Sequence, residues 1–356
     1  MLTFLAFTST FALCTISRSR KKKKREKFGM VFDLDGVIYR SGPSGKKAVG
    51  ESVRAIRALS KRKIPFCFVT NSTGSTEDEK AEMLSKILDL NIESSRVFMA
   101  TSPMRELAKR YGKKRVLVIA DGEEQSNKLA TAFGFQNYVT LREYVKIRPA
   151  LMPYWKKKKQ IDSVKSTKTP EKISAIFVAS EPNADWFSSL QVLLDIVTSN
   201  GETIEAFGGS VSDSQVVEIF FGNPDFSYPA THSVPRLTCG AFRTCLETLY
   251  YSTTGGRTLK SVCLGKPERH VFQSAFGSLV RQSNTPGDFD TVYMVGDNPA
   301  SDIRGANRMG APWESVLVLT GKSERNSKEN PAMHVKKNVF EAVKMALNEH
   351  GGDVLE

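Results

Sequence analysis

Cysteine and histidine are scarce in this 356-residue chain, and the few present are poorly placed for disulfide or zinc chemistry. The five cysteines, Cys14, Cys67, Cys239, Cys245 and Cys263, form no CxxC pair. None combines with His232, His270, His334 or His350 at a zinc-type spacing. That usage argues against a disulfide scaffold and a histidine metal centre, and it fits a reducing compartment. Cys67 and Cys263 lie in apolar runs that read as strands, where a thiol serves as a small core side chain. Long apolar runs are missing as well. Met1–Ile16 is the main candidate, but Thr and Ser interrupt it and it is short for a membrane-spanning helix.

Acidic residues are absent before Glu26, while Arg18–Lys27 holds eight basic residues and one acid. This tail carries about half of the formal net charge of +13, and Lys156–Lys159 adds a second run within what reads as a loop. Away from these runs the chain is only weakly basic. No folded face combines basic residues with aromatic platforms, so nucleic acid is not an expected partner. In residues 1–27 the basic run follows the apolar stretch, the reverse of an export signal, and Ser and Arg are enriched. The expectation is a mitochondrial presequence. The alternatives are a tail that anchors to or touches a membrane surface, or a cytoplasmic protein.

From Met30 onward, short apolar runs alternate with helical patterns. Met30–Phe32 and Ile64–Val69 read as strands, and Val49, Val53, Ile56 and Leu59 have helical spacing between them. Thr76 and Glu79 are spaced as a capping box opening a helix through Leu88. Thr291–Val295 and Ser315–Leu319 repeat the strand pattern near the C-terminus. Such alternation without tight hairpins predicts parallel α/β layering. Arg115–Ile119, Ile173–Ala179, Trp186–Thr198 and Val216–Phe221 alternate in their own right and suggest a second α/β unit inserted into the first. Phe66, Phe68, Phe177 and Trp186 have core spacing, and Trp313 is expected to pack beneath the strand at Ser315.

The chemistry-bearing residues fall mainly at strand ends, where open parallel sheets bind ligands. Asp33 and Asp35 end the first strand, and a turn at Gly36 can bring both to its tip. One carboxylate can attack phosphorus while the other shuttles a proton; alone, the pair also reads as a turn cap. Thr70 and Asn71 end the second strand and offer a hydroxyl and amides for a phosphoryl oxygen. Lys266, between Gly265 and Pro267, can neutralise nucleophile and phosphate charge together, although by itself it reads more readily as a surface turn lysine. Asp297 and Asp302 in Gly296–Asp302 complete an oxygen-rich set of the kind that suits magnesium.

Together the segments Asp33-Leu34-Asp35-Gly36-Val37, Thr70-Asn71, Gly265-Lys266-Pro267 and Gly296-Asp297 to Asp302 resemble the haloacid dehalogenase superfamily, subclass IIA. In that subclass a large cap is inserted between the second and third motifs. Ala179-Ser180-Glu181-Pro182, Asp185-Trp186, Asn223-Pro224-Asp225 and Cys239 to Thr244 are similar to the mitochondrial branch named after the cat eye syndrome critical region. The resemblance implies an α/β fold, a Rossmann-like parallel-sheet core at 28–102 and 239–351, with an inserted α/β cap at 103–238. It implies a phosphatase with Mg2+ as cofactor and a small phosphorylated metabolite as partner. Asp33 would be the nucleophile and Asp35 the general acid and base, with Lys266 beside them. Thr70, Asn71, Gly36, Asn223 and Asp225 would line the phosphate and substrate. Asp33, the main-chain carbonyl of Asp35, and Asp297 would hold the metal, with Asp302 supporting it or binding through water. Some members of the branch carry a phospholipid-synthesis domain, which points toward glycerophospholipid metabolism. The stretches 156–170 and 208–215 are expanded relative to the family. Two rivals remain open at this level: a non-catalytic interaction protein acting at a membrane or anionic partner, and a phosphotransferase using a sugar acceptor.

Overall fold

Phe28–Phe32 has no polar side chain, and both faces of such a strand must be covered. In the computed structural model, which describes residues 27–42, 45–148, 151, 171–183, 185–202, 210–228, 234–283 and 289–351, it is the third-from-edge strand of a six-stranded parallel sheet. The basic tail, His232 and the Lys156–Lys159 run lie outside the described residues.

The strands in chain order are β1 (Phe28–Phe32), β2 (Tyr39–Gly42), β3 (Gly45–Ala48), β4 (Phe66–Thr70), β5 (Val97–Met99), β6 (Val116–Ile119), β7 (Tyr138–Thr140) and β8 (Ala175–Val178). They continue with β9 (Glu218–Phe221), β10 (Ser227–Tyr228), β11 (Arg236–Leu237), β12 (Ser261–Cys263), β13 (Thr291–Gly296), β14 (Trp313–Val318) and β15 (His334–Lys336). The helices are α1 (Ser52–Lys61), α2 (Glu77–Leu88), α3 (Met104–Tyr111), α4 (Gly122–Phe133), α5 (Leu141–Ile147), α6 (Trp186–Thr198), α7 (Cys239–Thr253), α8 (Arg269–Gln282), α9 (Arg304–Met309) and α10 (Val339–Glu349).

The six-stranded sheet runs β15-β14-β13-β1-β4-β5. Residues of α1, α2 and α10 pack on one face through Ile56, Leu84 and Val343, and α8 and α9 on the other through Phe272 and Ala306. Two sheet faces covered by helices make the three-layer Rossmann-like arrangement expected from alternation. Trp313 begins β14 and meets the Phe272 ring edge-on at 5.3 Å. The capping box at Thr76 and Glu79 forms as its spacing requires, with reciprocal bonds of 3.3 and 3.0 Å.

A second parallel sheet, β12-β9-β8-β6-β7, has α5, α6 and α7 on one face and α3 and α4 on the other. The boundary expected at Thr238 therefore falls too early. Cys239, Phe242 and Leu246 of α7 share an apolar cluster with Val192 and Ile196 of α6, and β12 pairs with β9. The sequence 239–263 is amphipathic helix followed by strand, which reads identically in either sheet; only the pairing partner separates them. The absence of hairpins was also wrong. β2 and β3 pair antiparallel where the chain leaves β1, and β10 pairs with β11. Four-residue strands of Tyr, Lys and Gly carry no alternation long enough to register.

Phe177 of β8 stacks on Phe220 of β9 at 5.0 Å and meets Tyr111 of α3 edge-on at 5.5 Å. It is fully buried, so truncating it removes ring packing and opens a cavity in this cluster. Phe177→Ala is expected to lower unfolding free energy by about 3–5 kcal/mol, read from denaturant titration; a change below about 1 kcal/mol would show that this cluster is not a packed core.

Candidate active site

The two central strands of the six-stranded sheet, β1 and β13, end side by side, each followed by an aspartate. The backbone N–H of Asp33 donates to Val295 O at 2.9 Å, so the first acid is fixed to the neighbouring strand end. Its Oδ1 accepts the Leu34 N–H at 2.7 Å and lies 2.6 Å from Lys266 Nζ. Asp302 Oδ1 lies 2.6 Å from the same ammonium, whose remaining bond goes to Val69 O at 3.1 Å.

Lys266 is 1% exposed and arrives from an unexpected direction. It follows β12 of the inserted unit, yet its side chain crosses into the acidic ends of the other sheet. The Asn71 side chain secures this crossing: its Oδ1 accepts the Lys266 N–H at 2.8 Å and its Nδ2 donates to Lys266 O at 3.0 Å. The same Nδ2 reaches Asp225 Oδ2 at 3.3 Å. Asn71, read from sequence as a phosphate ligand, is thus a clamp between the units through its side chain. Thr70 Oγ1 accepts the Ser72 N–H at 3.0 Å, which leaves its own hydrogen to donate into the cavity it lines.

Asp297 accepts the Lys322 N–H at 2.6 Å, and Asp302 accepts the Asn298 N–H at 3.1 Å from within the turn Pro299–Ile303. Gly36, at φ +82°, and Gly321 flank Asp297. A Cβ on Gly36 would stand 2.6 Å from Asp297 Oδ2, so this glycine positions the metal-type acid rather than contacting substrate itself.

One carboxylate oxygen each from Asp33, Asp297 and Asp302 fits within a 4.8 Å span. Three carboxylates face one lysine, leaving two negative charges unmatched in a buried place. Burial above all, and then the Asp33 charge, pushes Asp297 up to about 7 and holds Asp302 well above the carboxylate range; Lys266 offsets part of each. A hard divalent cation suits both the donor type and the missing charge. The Asp35 carboxylate belongs elsewhere. It accepts from Tyr39 Oη at 3.1 Å, leaving only its main-chain carbonyl for the metal role expected of it. Burial and then Asp33 raise its pKa, against the pull of Lys80 and Lys46.

A cavity of about 480 Å³ opens over these groups, lined from the core by Asp33, Asp35 and Thr70 and from the inserted unit by Asn223, Asp225 and Tyr228. Asn223 Oδ1 accepts the Asp225 N–H at 2.8 Å, which aims that segment at the cavity. Burial raises Asp225, with Lys266 and Lys322 opposing. Of the residues expected from sequence, Asp33, Asp35, Thr70, Asn71, Asn223, Asp225, Lys266 and Asp297 line this cavity, while Gly36 and Asp302 lie behind it against Asp297 and Lys266. Lys46 and Lys322 also line the cavity and were not singled out, because nothing local marks a lysine as facing a cavity rather than solvent. Among the described residues no helix is long and apolar enough to cross a membrane.

Two family models match the chain, one described as haloacid dehalogenase-like hydrolase over residues 30–136 and one as HAD-hydrolase-like over 263–346. A cardiolipin synthase (CMP-forming)/mitochondrial hydrolase fusion protein of Schizosaccharomyces pombe is 31% identical over 352 residues, 96% of this chain; the chain spans 56% of that relative's length. A mitochondrial hydrolase of Saccharomyces cerevisiae is 28% identical, with 91% of this chain and 97% of that one covered. A phospholysine phosphohistidine inorganic pyrophosphate phosphatase of Danio rerio is 32% identical over 306 residues, covering 86% and 87%. Among solved structures, a p-nitrophenyl phosphatase from Archaeoglobus fulgidus superposes with a TM-score of 0.60 at 20% identity, covering 90% of this chain and all of that one. A glycerol phosphate phosphatase from Mycobacterium tuberculosis, in complex with magnesium, gives 0.55 at 18% identity, covering 88% and 76%. At these identities the structures establish the fold.

The raised carboxyls give a stability prediction. Without a metal the folded state retains protons that the unfolded chain releases near the ordinary carboxylate value of 3.8. The part of metal-free stability that Asp297 contributes should therefore decline as pH rises from there to about 7. Asp297→Asn is expected to raise metal-free stability at pH 8 by on the order of 1–3 kcal/mol and to remove most of the thermal shift caused by magnesium. A destabilised variant that keeps the full magnesium shift would contradict the charge assignment.

Proposed function

The chain belongs to the haloacid dehalogenase superfamily, subclass IIA, and on that footing we propose that it hydrolyses a small phosphate monoester with magnesium, through a phosphorylated Asp33. The observation that carries this reading is the Lys266 ammonium 2.6 Å from both Asp33 and Asp302, beneath a cavity open to substrate.

With Asp33 Oδ1 held by Lys266 and the Leu34 N–H, Oδ2 is the attacking oxygen. The Thr70 hydroxyl steadies a phosphoryl oxygen from the end of β4. Attack forms the Asp33–phosphorus bond as the ester oxygen–phosphorus bond breaks, and Asp35 gives its proton to the leaving oxygen. Burial, which favours the protonated carboxyl, suits Asp35 to that first role. Asp35 then takes a proton from water as the water oxygen displaces Asp33 and releases phosphate. A divalent cation held by Asp33, Asp297 and the Asp35 carbonyl, with Asp302 in support, would screen the carboxylates and neutralise phosphoryl charge. Lys266 keeps the leaving Asp33 carboxylate paired when the covalent bond breaks. The inserted unit acts as the cap, bringing Asn223 and Asp225 over the cavity and excluding water during transfer.

The expected address is the mitochondrion, supported by the names of two relatives and by the basic, acid-free start of the chain. The fusion relative's cardiolipin synthase portion supports a glycerophospholipid link for the substrate. Retention of Asp33, Asp35, Asp297 and Asp302 disfavours the non-catalytic rival, since a binding module gains nothing from repelling acids.

Magnesium-dependent release of phosphate from an artificial aryl ester tests the reading. Asp33→Asn should fall to background, at least about 10³-fold, because the nucleophile is gone. Asp35→Asn should lose most when the leaving group is a poor one, an alkoxide, and less with an aryl ester whose oxygen needs little protonation. Wild-type protein no faster than folded Asp33→Asn, with metal present, would favour the non-catalytic rival.

A further inference from the structure

Lys80 is a helix residue that the proposed chemistry leaves unused. It is 4% exposed in the first turn of α2; its ammonium donates to the neutral Ser72 Oγ at 3.0 Å, with the Asp35 and Glu79 carboxylates near enough to favour its charge only in part against burial. A buried ammonium with a hydroxyl as its partner is expensive to keep charged. Lys46 stands beside it, on the β2–β3 hairpin, and the proximity of the two like charges adds to the cost. Lys46 Nζ lies 3.5 Å from Tyr39 Oη and 4.8 Å from the centre of that ring, and it lines the cavity together with Ser72 and Ser41.

The position of this pair matters more than its charge. Tyr39 Oη, with Lys46 Nζ 3.5 Å away, donates to Asp35 Oδ2 at 3.1 Å, and Ser41 Oγ reaches Asp35 Oδ1 at 3.5 Å, so the lysine pair adjoins Asp35, whereas Lys266 pairs with Asp33 and Asp302. Asp35 is the group that would face the leaving oxygen. Whatever lies beyond Asp35 faces the rest of the leaving group. Both ammonium groups draw on Asp35, and Glu79, the other acid that acts on Lys80, is itself paired with Lys128, so positive charge is in excess beside the cavity. Of the other two lysines that line the cavity, Lys266 is paired with Asp33 and Asp302, and Lys322 gives its N–H to Asp297.

We propose that Lys46, Lys80 and Ser72 form a second anion subsite, selecting phosphate esters whose leaving group carries its own negative charge, a carboxylate or second phosphate, a few bonds from the ester oxygen. This rests on the phosphatase reading and narrows its substrate class. The anion would accept from both ammonium groups and the Ser72 hydroxyl, supplying the countercharge that the protein alone lacks. Lys46 on the hairpin meets the ligand at the cavity edge, and Lys80 fixes the depth to which the anion enters. An ester with a neutral alkyl leaving group would leave that excess positive charge uncompensated.

Phosphoglycolate and ethyl phosphate, similar in size and different by one carboxylate, test this directly. Wild-type protein should favour phosphoglycolate by about tenfold or more in kcat/KM, the worth of one charge-assisted hydrogen bond in a sheltered site. Lys46→Met and Lys80→Met should each bring the ratio toward one, and Lys46→Arg should restore part of it. Calorimetric binding of both esters to Asp33→Asn protein, with and without Lys46→Met, gives the same comparison without turnover. A ratio near one in the wild type, or one that survives both lysine variants, overturns the subsite while leaving the phosphatase reading intact. Absence of hydrolysis of any ester by folded, magnesium-loaded protein overturns the phosphatase reading instead; the calorimetric ratio then decides the subsite alone.

Discussion

Everything at the centre of this molecule follows from one electrostatic problem, the burial of Asp33, Asp297 and Asp302 within a few ångströms of each other at the ends of two adjacent strands. Carboxylates so placed repel, and burial raises the cost of each charge. Lys266 removes part of it by touching two of the three. The remainder is a deficit of positive charge that only protons or a cation can make up. A site that must recruit a cation to stay ionised is also primed for a phosphoryl group, whose negative charge needs the same compensation.

The topology explains how these groups meet. Asp33 and Asp297 follow β1 and β13, neighbours in space though 264 positions apart in sequence. Lys266 is delivered by a strand of the other sheet, and Asn71 ties its backbone to the loop after β4. The inserted unit therefore does more than cover the cavity. Its last strand carries the lysine that balances the acids, so the charge balance depends on the two units remaining joined. Asp225, held to Asn71, is the second link across that junction.

Much of this was legible in the sequence because strand ends are marked locally. Asp33, Thr70 and Asp297 each follow a short apolar run, and a parallel sheet places such ends on one edge. Lys266 and its neutralising charge were found by motif; the work of Gly36 was not. That Gly36 makes room for Asp297, and that Asn71 spends its amide on the Lys266 backbone, depend on contacts between distant segments. The cap boundary was misplaced for the same reason: α7 and β12 have the pattern of any amphipathic helix and strand, and only pairing with β9 assigns them. Lys46 and Lys80 were invisible, since an α2 lysine looks like any solvated charge until the hairpin folds against it.

The most direct test of the account is the chemical fate of Asp33 during turnover. Protein mixed briefly with a labelled phosphate ester and magnesium, quenched in acid and digested, should carry the label as an acyl phosphate on the peptide containing residue 33. Turnover with no covalent label there, or with label on another residue, would contradict the assignment of Asp33 as the group that Lys266 and the neighbouring acids are built to serve.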